Sequence, residues 1–187
     1  MRAAECMPKS TVRFTCFPRT EPPPQFIPSV VDAFRQCEGS ICSEALEKGL
    51  TSDQVLQVLR PALETLGFQV EAGKNKEQKI ERPVFFGENG MPTLRYQIDA
   101  YHAAWRCGFE VEAGRAWMGN AIYRDLVQAL VMVQVDHLIL AVSNSYKYLS
   151  GGKAQISTDY RNTCAVADAL YMHSRLKLPY GLTVIGY

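Results

Sequence analysis

The chain has 187 residues, 47% of them hydrophobic, and a formal charge of +1. This length fits a single domain with a sizeable core, and the near-neutral charge argues against a generic nucleic-acid coat protein while leaving room for an enzyme with a local basic cleft. No apolar run is long enough to span a bilayer and the N-terminal stretch has no apolar signal region, so neither a membrane span nor export is expected and the expected compartment is the cytoplasm.

In chain order, residues 11–18 read as a short strand, and the prolines at 22–24 then force an extended connector. Ile27, Val30, Val31, Phe34 and Cys37 share one side of a helix over 27–38, with Gly39 ending it. Residues 40–50 are ambiguous. The next helix is clearer. Thr51 and Gln54 make a capping box, Val55, Leu59, Ala62, Leu63 and Leu66 form the apolar stripe, Gly67 supplies the stop, and Pro61 is expected to kink the second half. A strand follows at 68–71. Residues 73–82 are polar and basic, with Lys74, Lys76, Lys79 and Arg82: a solvated loop, or a contact to backbone phosphates. A short strand at 83–87 and the turn signal Asn89-Gly90 lead into the centre of the sequence.

Residues 94–115 read as two strands joined by a tight reversal between Ala104 and Trp105. Period two places Leu94, Tyr96, Ile98 and Ala100 on one face of the first strand and Asp99 on the other. In the second strand Trp105, Cys107, Phe109 and Val111 share a face, and Glu110 and Glu112 lie opposite. This register sets Asp99 across from Glu110, so Asp99, Glu110 and Glu112 crowd one patch. Like charges so close call for a positive partner, either a divalent metal or one of Arg95, Arg106 and Arg115.

Beyond it, Asn120 is placed to cap a helix to about 133 with the stripe Ile122, Leu126, Leu130 and Val133, and Arg124 and Gln128 stand one turn apart away from that stripe. Residues 137–142 form a continuous apolar run, the mark of a strand buried on both faces. Residues 143–153, with Tyr146, Lys147, Tyr148 and Gly151-Gly152, read as a loop, 157–177 as a helix and 182–187 as a closing strand. The six cysteines form no C-x-x-C pair and are expected as reduced thiols, Cys107 facing the core. No Walker loop, nucleophile elbow or dinucleotide fingerprint is present.

Between 51 and 143 the order is helix, strand, strand, strand, helix, strand, with an extra strand at 83, and the central hairpin carries Asp99 followed by Glu110-Val111-Glu112. This resembles the PD-(D/E)XK, or restriction-endonuclease-like, nuclease superfamily, whose signature is an acid on the second core strand and a (D/E)-x-K motif on the third. Two positions depart from that signature: Ile98 precedes Asp99 where proline is usual, and Glu112 stands in place of the lysine. The resemblance implies an α/β fold with a mixed central sheet flanked by helices. The whole of 1–187 is then one domain, with 1–50 an N-terminal extension packed on a nuclease-like core over 51–187 and a helix and strand added at the C-terminus.

It also implies a magnesium- or manganese-dependent endonuclease acting on DNA, a soluble hydrolase for which a homodimer is a compatible assembly. Asp99, Glu110, the Val111 carbonyl and Glu112 are the implied metal ligands, with Glu112 alternatively the base for water and Glu64 a further acid from the first core helix. The helical wheel sets Glu64 opposite the apolar stripe, so only a kink at Pro61 would turn it inward. Lys74, Lys76, Lys79, Arg115, Arg124, Gln128 and Lys147 are the candidate nucleic-acid contacts. Two other readings compete: a catalytically inactive module of the same fold that binds DNA or protein, and a structural acid–arginine cluster with Arg106 or Arg115 directly on Glu110.

Overall fold

A computed structural model describes residues 10–46, 49–114, 116 and 119–187. The chain folds as a mixed α/β protein in three layers. The described residues form the strands β1 (Arg13–Phe17), β2 (Gln69–Val70), β3 (Ile80–Phe86), β4 (Pro92–Ile98), β5 (Ala100–His102), β6 (Cys107–Glu112), β7 (His137–Val142), β8 (Tyr146–Ser150), β9 (Lys153–Ser157) and β10 (Gly181–Gly186). The helices are α1 (Ile27–Ile41), α2 (Ser52–Thr65), α3 (Ala121–Val131) and α4 (Asp159–Met172). A six-stranded sheet runs in the order β1-β10-β7-β6-β5-β2, while β3–β4 and β8–β9 form separate two-stranded pairs. Strands β6, β7 and β10 are parallel and the others pair antiparallel, which makes the sheet mixed. Among the described residues no helix is long and apolar enough to cross a membrane.

Two cores sandwich the sheet. Val30, Phe34, Val55, Leu59 and Leu63 from α1 and α2 pack on Cys107, Phe109, Val111 and Ile139. Ile122, Leu126 and Ala129 of α3 and Cys164 and Ala167 of α4 pack on the other face, against Leu138, Leu140, Val142, Leu182 and Val184. Strands β6 and β7 are therefore buried along their whole length, as the apolar run at 137–142 predicts. Cys107 lies in the core, and Cys16, Cys37, Cys42, Cys107 and Cys164 are free thiols.

The hairpin register agrees with expectation. Ala100 pairs with Phe109, Tyr101 with Gly108 and His102 with Cys107. The first strand, however, is not continuous. It breaks at Asp99, and β4 leaves the main sheet to pair with β3, Ile80 opposite Ile98. Ile98 and Tyr101 consequently enter the same core and Ala100 the other, so the expected grouping of Ile98 with Ala100 fails at the bend. Gly108 permits this path: a Cβ there would stand 2.5 Å from Ile98 Cδ1.

Other differences have local causes. Helix α1 runs through Gly39 to Ile41, because Ile41 is buried and anchors the last turn. The Thr51–Gln54 capping box is present, and Gly67, at φ +97°, ends the segment after α2. Residues 143–153 are not a loop. They contain β8 and the start of β9, joined at Gly151-Gly152 with both residues at positive φ, the geometry of a two-residue hairpin turn. Helix α3 ends at Val131, and Asn120 precedes it in the left-handed region without a side-chain capping bond. Helix α4 spans Asp159–Met172, shorter than 157–177 at both ends.

Candidate functional site

The bend at Asp99 organises the site. Its carboxylate Oδ2 accepts the backbone N–H of Val111 at 2.8 Å, and its own carbonyl accepts the N–H of Glu71 at 2.8 Å. The residue is thus pinned from β6 on one side and from the end of β2 on the other. Glu110 and Glu112 point from β6 away from Phe109 and Val111, toward α3, and both are buried. There they meet Asp125 of α3, which is 2% exposed. Arg124 joins two of these acids: its Nη2 donates to Glu112 Oε1 at 2.6 Å and its Nε to Asp125 Oδ1 at 2.8 Å.

The group borders a cavity of about 430 Å³. Asp99, Glu110 and Asp125 lie on its wall, with Lys79, Arg95, Arg124 and Gln128 around them. Glu71 also lines it and is ion-paired with Lys79. Acidic groups here are held in the protonated direction. Burial, then the charges of Glu71 and Asp125, raise Asp99 to about 6, against the pull of the Val111 N–H. Burial and the charges of Asp99, Asp125 and Glu112 push Glu110 well above the ordinary range. Glu112 rises to about 7 through burial and Asp125, and burial raises Asp125 as well. Burial opposes the charge on Arg124, yet its bond to Asp125 and the nearby acids outweigh that and raise it.

Most of the expected central residues come together: Asp99 and Glu110 on the wall, Glu112 through Arg124, and Arg124 and Gln128 side by side. Others do not. Glu64 is exposed on the outer side of α2, which continues past Pro61 without turning it inward. Lys74 is exposed and 3.6 Å from Asp53, and Lys76 is exposed outside the cavity. Lys147 donates to the carbonyls of Glu44 and Leu46 at 3.2 and 3.0 Å, which ties β8 to the segment after α1. Arg115 lies outside the described residues. Arg106 pairs with Asp136 at 2.5 Å rather than with Glu110. Asp125 and Glu71 are site residues that the sequence pattern did not single out, whereas Arg95, one of the expected charge partners, lines the cavity.

This placement separates the basic residues on the cavity from those away from it. On duplex DNA each phosphate contact contributes roughly 0.9 to the log–log slope of affinity against salt. If the chain binds duplex DNA as the resemblance implies, Lys79→Ala and Arg95→Ala should each flatten that slope by about this amount in metal-free binding assays, whereas Lys147→Ala should leave it unchanged. A Lys147 variant that flattens the slope as much as the cavity variants would contradict the assignment.

All donors in the cluster are oxygens, the preference of magnesium and manganese. Asp125 Oδ2 is buried and receives no N–H or hydroxyl donor, while the Asp125 and Glu112 carboxyls lie within hydrogen-bonding reach of each other. Among the described residues no three His, Cys, Asp or Glu side chains are arranged to hold a metal ion. One or two carboxylates are enough for magnesium, which keeps several waters and takes substrate phosphate as a ligand. The donor set therefore fits such an ion at Asp99 and Glu110. No protein-family model matches the chain, and no curated protein matches it in sequence.

Proposed function

We propose that this chain is a divalent-metal-dependent endonuclease of the PD-(D/E)XK type that hydrolyses phosphodiester bonds in DNA. The observation that carries the reading is the convergence of Asp99, at the bend between β4 and β5, and Glu110, on β6, on one cavity rimmed by Lys79, Arg95 and Arg124. The order α2, β2, β5, β6, α3, β7, with β3–β4 inserted after β2, accords with the core of that superfamily.

In this reading Asp99 and Glu110 hold magnesium or manganese, with the Val111 carbonyl a further ligand. The ion supplies a lowered pKa for bound water and charge relief at the phosphate. The Val111 N–H fixes the rotamer of Asp99, so one carboxylate oxygen is oriented before substrate arrives. Lys79 and Arg95 hold phosphate oxygens across the cavity, and Gln128 donates from α3. Glu112, held by Arg124 and off the cavity wall, would support the site from behind, fixing the guanidinium that faces the phosphate. The Arg124–Glu112 pair favours a second reading, an inactive DNA-binding module, because it neutralises the acid that stands where the superfamily has lysine.

Two measurements decide between them. Plasmid DNA should be nicked with added magnesium or manganese and left intact under chelation. Calorimetry with manganese should show binding by the wild type that is lost in the Asp99→Ala, Glu110→Ala double variant. Equal binding by both proteins would remove the metal site. Metal binding without any nicking would leave the DNA-binding module.

A further inference from the structure

A second cavity, of about 420 Å³, lies between β1 and α4 at the β1 edge of the sheet, with β10 and β7 separating it from the acids on β6. Three arginines line it, Arg13, Arg19 and Arg161, against one acid, Asp168. Arg19 and Asp168 neutralise each other in a two-pronged pair at 2.6 and 2.7 Å. Arg13 and Arg161 have no carboxylate partner among the described residues. Arg13 is nevertheless fixed in place. Its Nε donates to Asn144 Oδ1 at 2.7 Å, and its guanidinium carbon lies 4.5 Å from the centroid of the Tyr160 ring. Both supports are buried, Asn144 at 3% exposure and Tyr160 at 8%. Gly186, which pairs with Arg13 across β10, makes room for them: a Cβ there would overlap Asn144 Oδ1 and stand 2.6 Å from Tyr160 Cδ2. The Nη groups of Arg13 take no part in these contacts. Ordering a long side chain costs rotamer entropy, and here buried neighbours impose that order before any anion arrives.

We propose that this cavity binds the phosphate group of a small phosphomonoester, received by the Nη groups of Arg13 and by Arg161, with Tyr160, Cys164 and Ala165 against the organic part of the molecule. The charges decide the class of anion. Two guanidinium groups are left uncompensated, and a phosphomonoester carries roughly −1.5 to −2 at neutral pH, whereas a carboxylate or a phosphodiester carries a single charge. The planar fork of a guanidinium also matches pairs of phosphate oxygens. The volume lies within the roughly 300–1,000 Å³ of small-molecule pockets, so a phosphate alone would not fill it. Arg19, tied to Asp168 and set over the Phe17 ring at 5.2 Å, closes one wall. None of the residues around Asp99 and Glu110 takes part, so this site stands apart from the nuclease reading.

The test is metal-free calorimetry of the full chain with phenyl phosphate, on the wild type, Arg13→Gln, Arg161→Gln and Arg35→Gln. Arg35 is an exposed arginine of α1, paired with Asp32 and outside the cavity. One phenyl phosphate should bind per chain. Arg13→Gln and Arg161→Gln each remove charge-assisted bonds to the phosphate and should each weaken binding by about tenfold, while Arg35→Gln should leave it unchanged. Benzoate, with the same ring and one charge, should bind about tenfold more weakly than phenyl phosphate for the bonds that it cannot make. Arg161 is exposed on α4, so its variant tests the site even where Arg13→Gln loosens β1. Absence of binding by the wild type, or equal affinity in the wild type and the Arg161→Gln variant, would overturn the proposal. So would an equal loss in Arg35→Gln, which would make the effect one of net charge, or benzoate binding as tight as that of phenyl phosphate. A DNA oligonucleotide without terminal phosphates that binds with the same dependence on Arg13 and Arg161 would assign the cluster to backbone diesters and overturn it as well. Failure of the nuclease reading would leave all of these results unchanged.

Discussion

Asp99→Asn should give a protein that is more stable than the wild type at pH 8 without metal and that cuts DNA on the order of 10³-fold more slowly. The two effects have one cause. Asn keeps the shape and still accepts the Val111 N–H through its amide oxygen, so the bend between β4 and β5 survives. What disappears is a charge held against its environment. Burial and neighbouring acids raise Asp99 from 3.8 to about 6, so ionising it in the folded chain costs at most about 3 kcal/mol relative to the unfolded chain. Asp99 retains some contact with the cavity, and solvent there lowers the gain below that ceiling. The same charge is the metal ligand of the proposed reaction, and losing a cation's stabilisation of the transition state costs several kcal/mol. Urea unfolding under chelation and plasmid nicking with magnesium measure the two sides. If Asp99→Asn is less stable than the wild type, the carboxylate is a folding residue and not a ligand kept at the expense of stability.

Acidification should expose a second, opposite balance. His137, buried beside Thr183 with its Nε2 2.8 Å from the hydroxyl, is lowered by burial from 6.5 to about 4. Its folded pKa lies below the unfolded one. Its stabilising contribution is therefore present above pH 6.5 and lost as pH falls toward 4, a loss of about 3 kcal/mol. Asp99 and Glu112 are shifted the other way, to about 6 and about 7, so the folded chain takes up their protons first and gains stability as pH falls through 7 and 6. In the metal-free wild type the two slopes oppose each other between pH 7 and 4. Asp99→Asn removes part of the gain, so its unfolding free energy should fall more steeply on acidification than that of the wild type. Urea titrations at three pH values across that window would show it. Parallel curves for the two proteins would mean that Asp99 does not carry the raised pKa.

What the sequence by itself determined is the local geometry. A tight reversal before Trp105 and a side-chain period of two were enough to set Asp99 against Glu110, and the structure has the same register through Ala100–Phe109. The same period put Glu110 and Glu112 opposite Phe109 and Val111, and the capping box at Thr51 and the apolar run at 137–142 were equally local signals. Tertiary packing decided the rest. Local periodicity does not mark Asp125, because the stripe Ile122, Leu126, Leu130, Val133 predicts a different inner face. The inner arc of α3 is instead Ala121, Ile122, Asp125, Leu126 and Ala129, and Leu130 and Val133 are 36% and 48% exposed. Which arc of a helix is buried depends on the sheet that it meets, here the acidic side of β6. The β8–β9 hairpin leaves no local signal because neither strand has a buried face to create alternation, and Leu149 and Ile156 lie on the surface. The break at Asp99 depends on Ile98 packing over Gly108, ten residues away in sequence and unseen in any local window. The charge partner was decided in the same way. Arg106 was nearer in sequence, but the crossing of α3 over β6 brings Arg124, not Arg106, to the acids, so the chemistry of the cluster is a property of how these two elements pack.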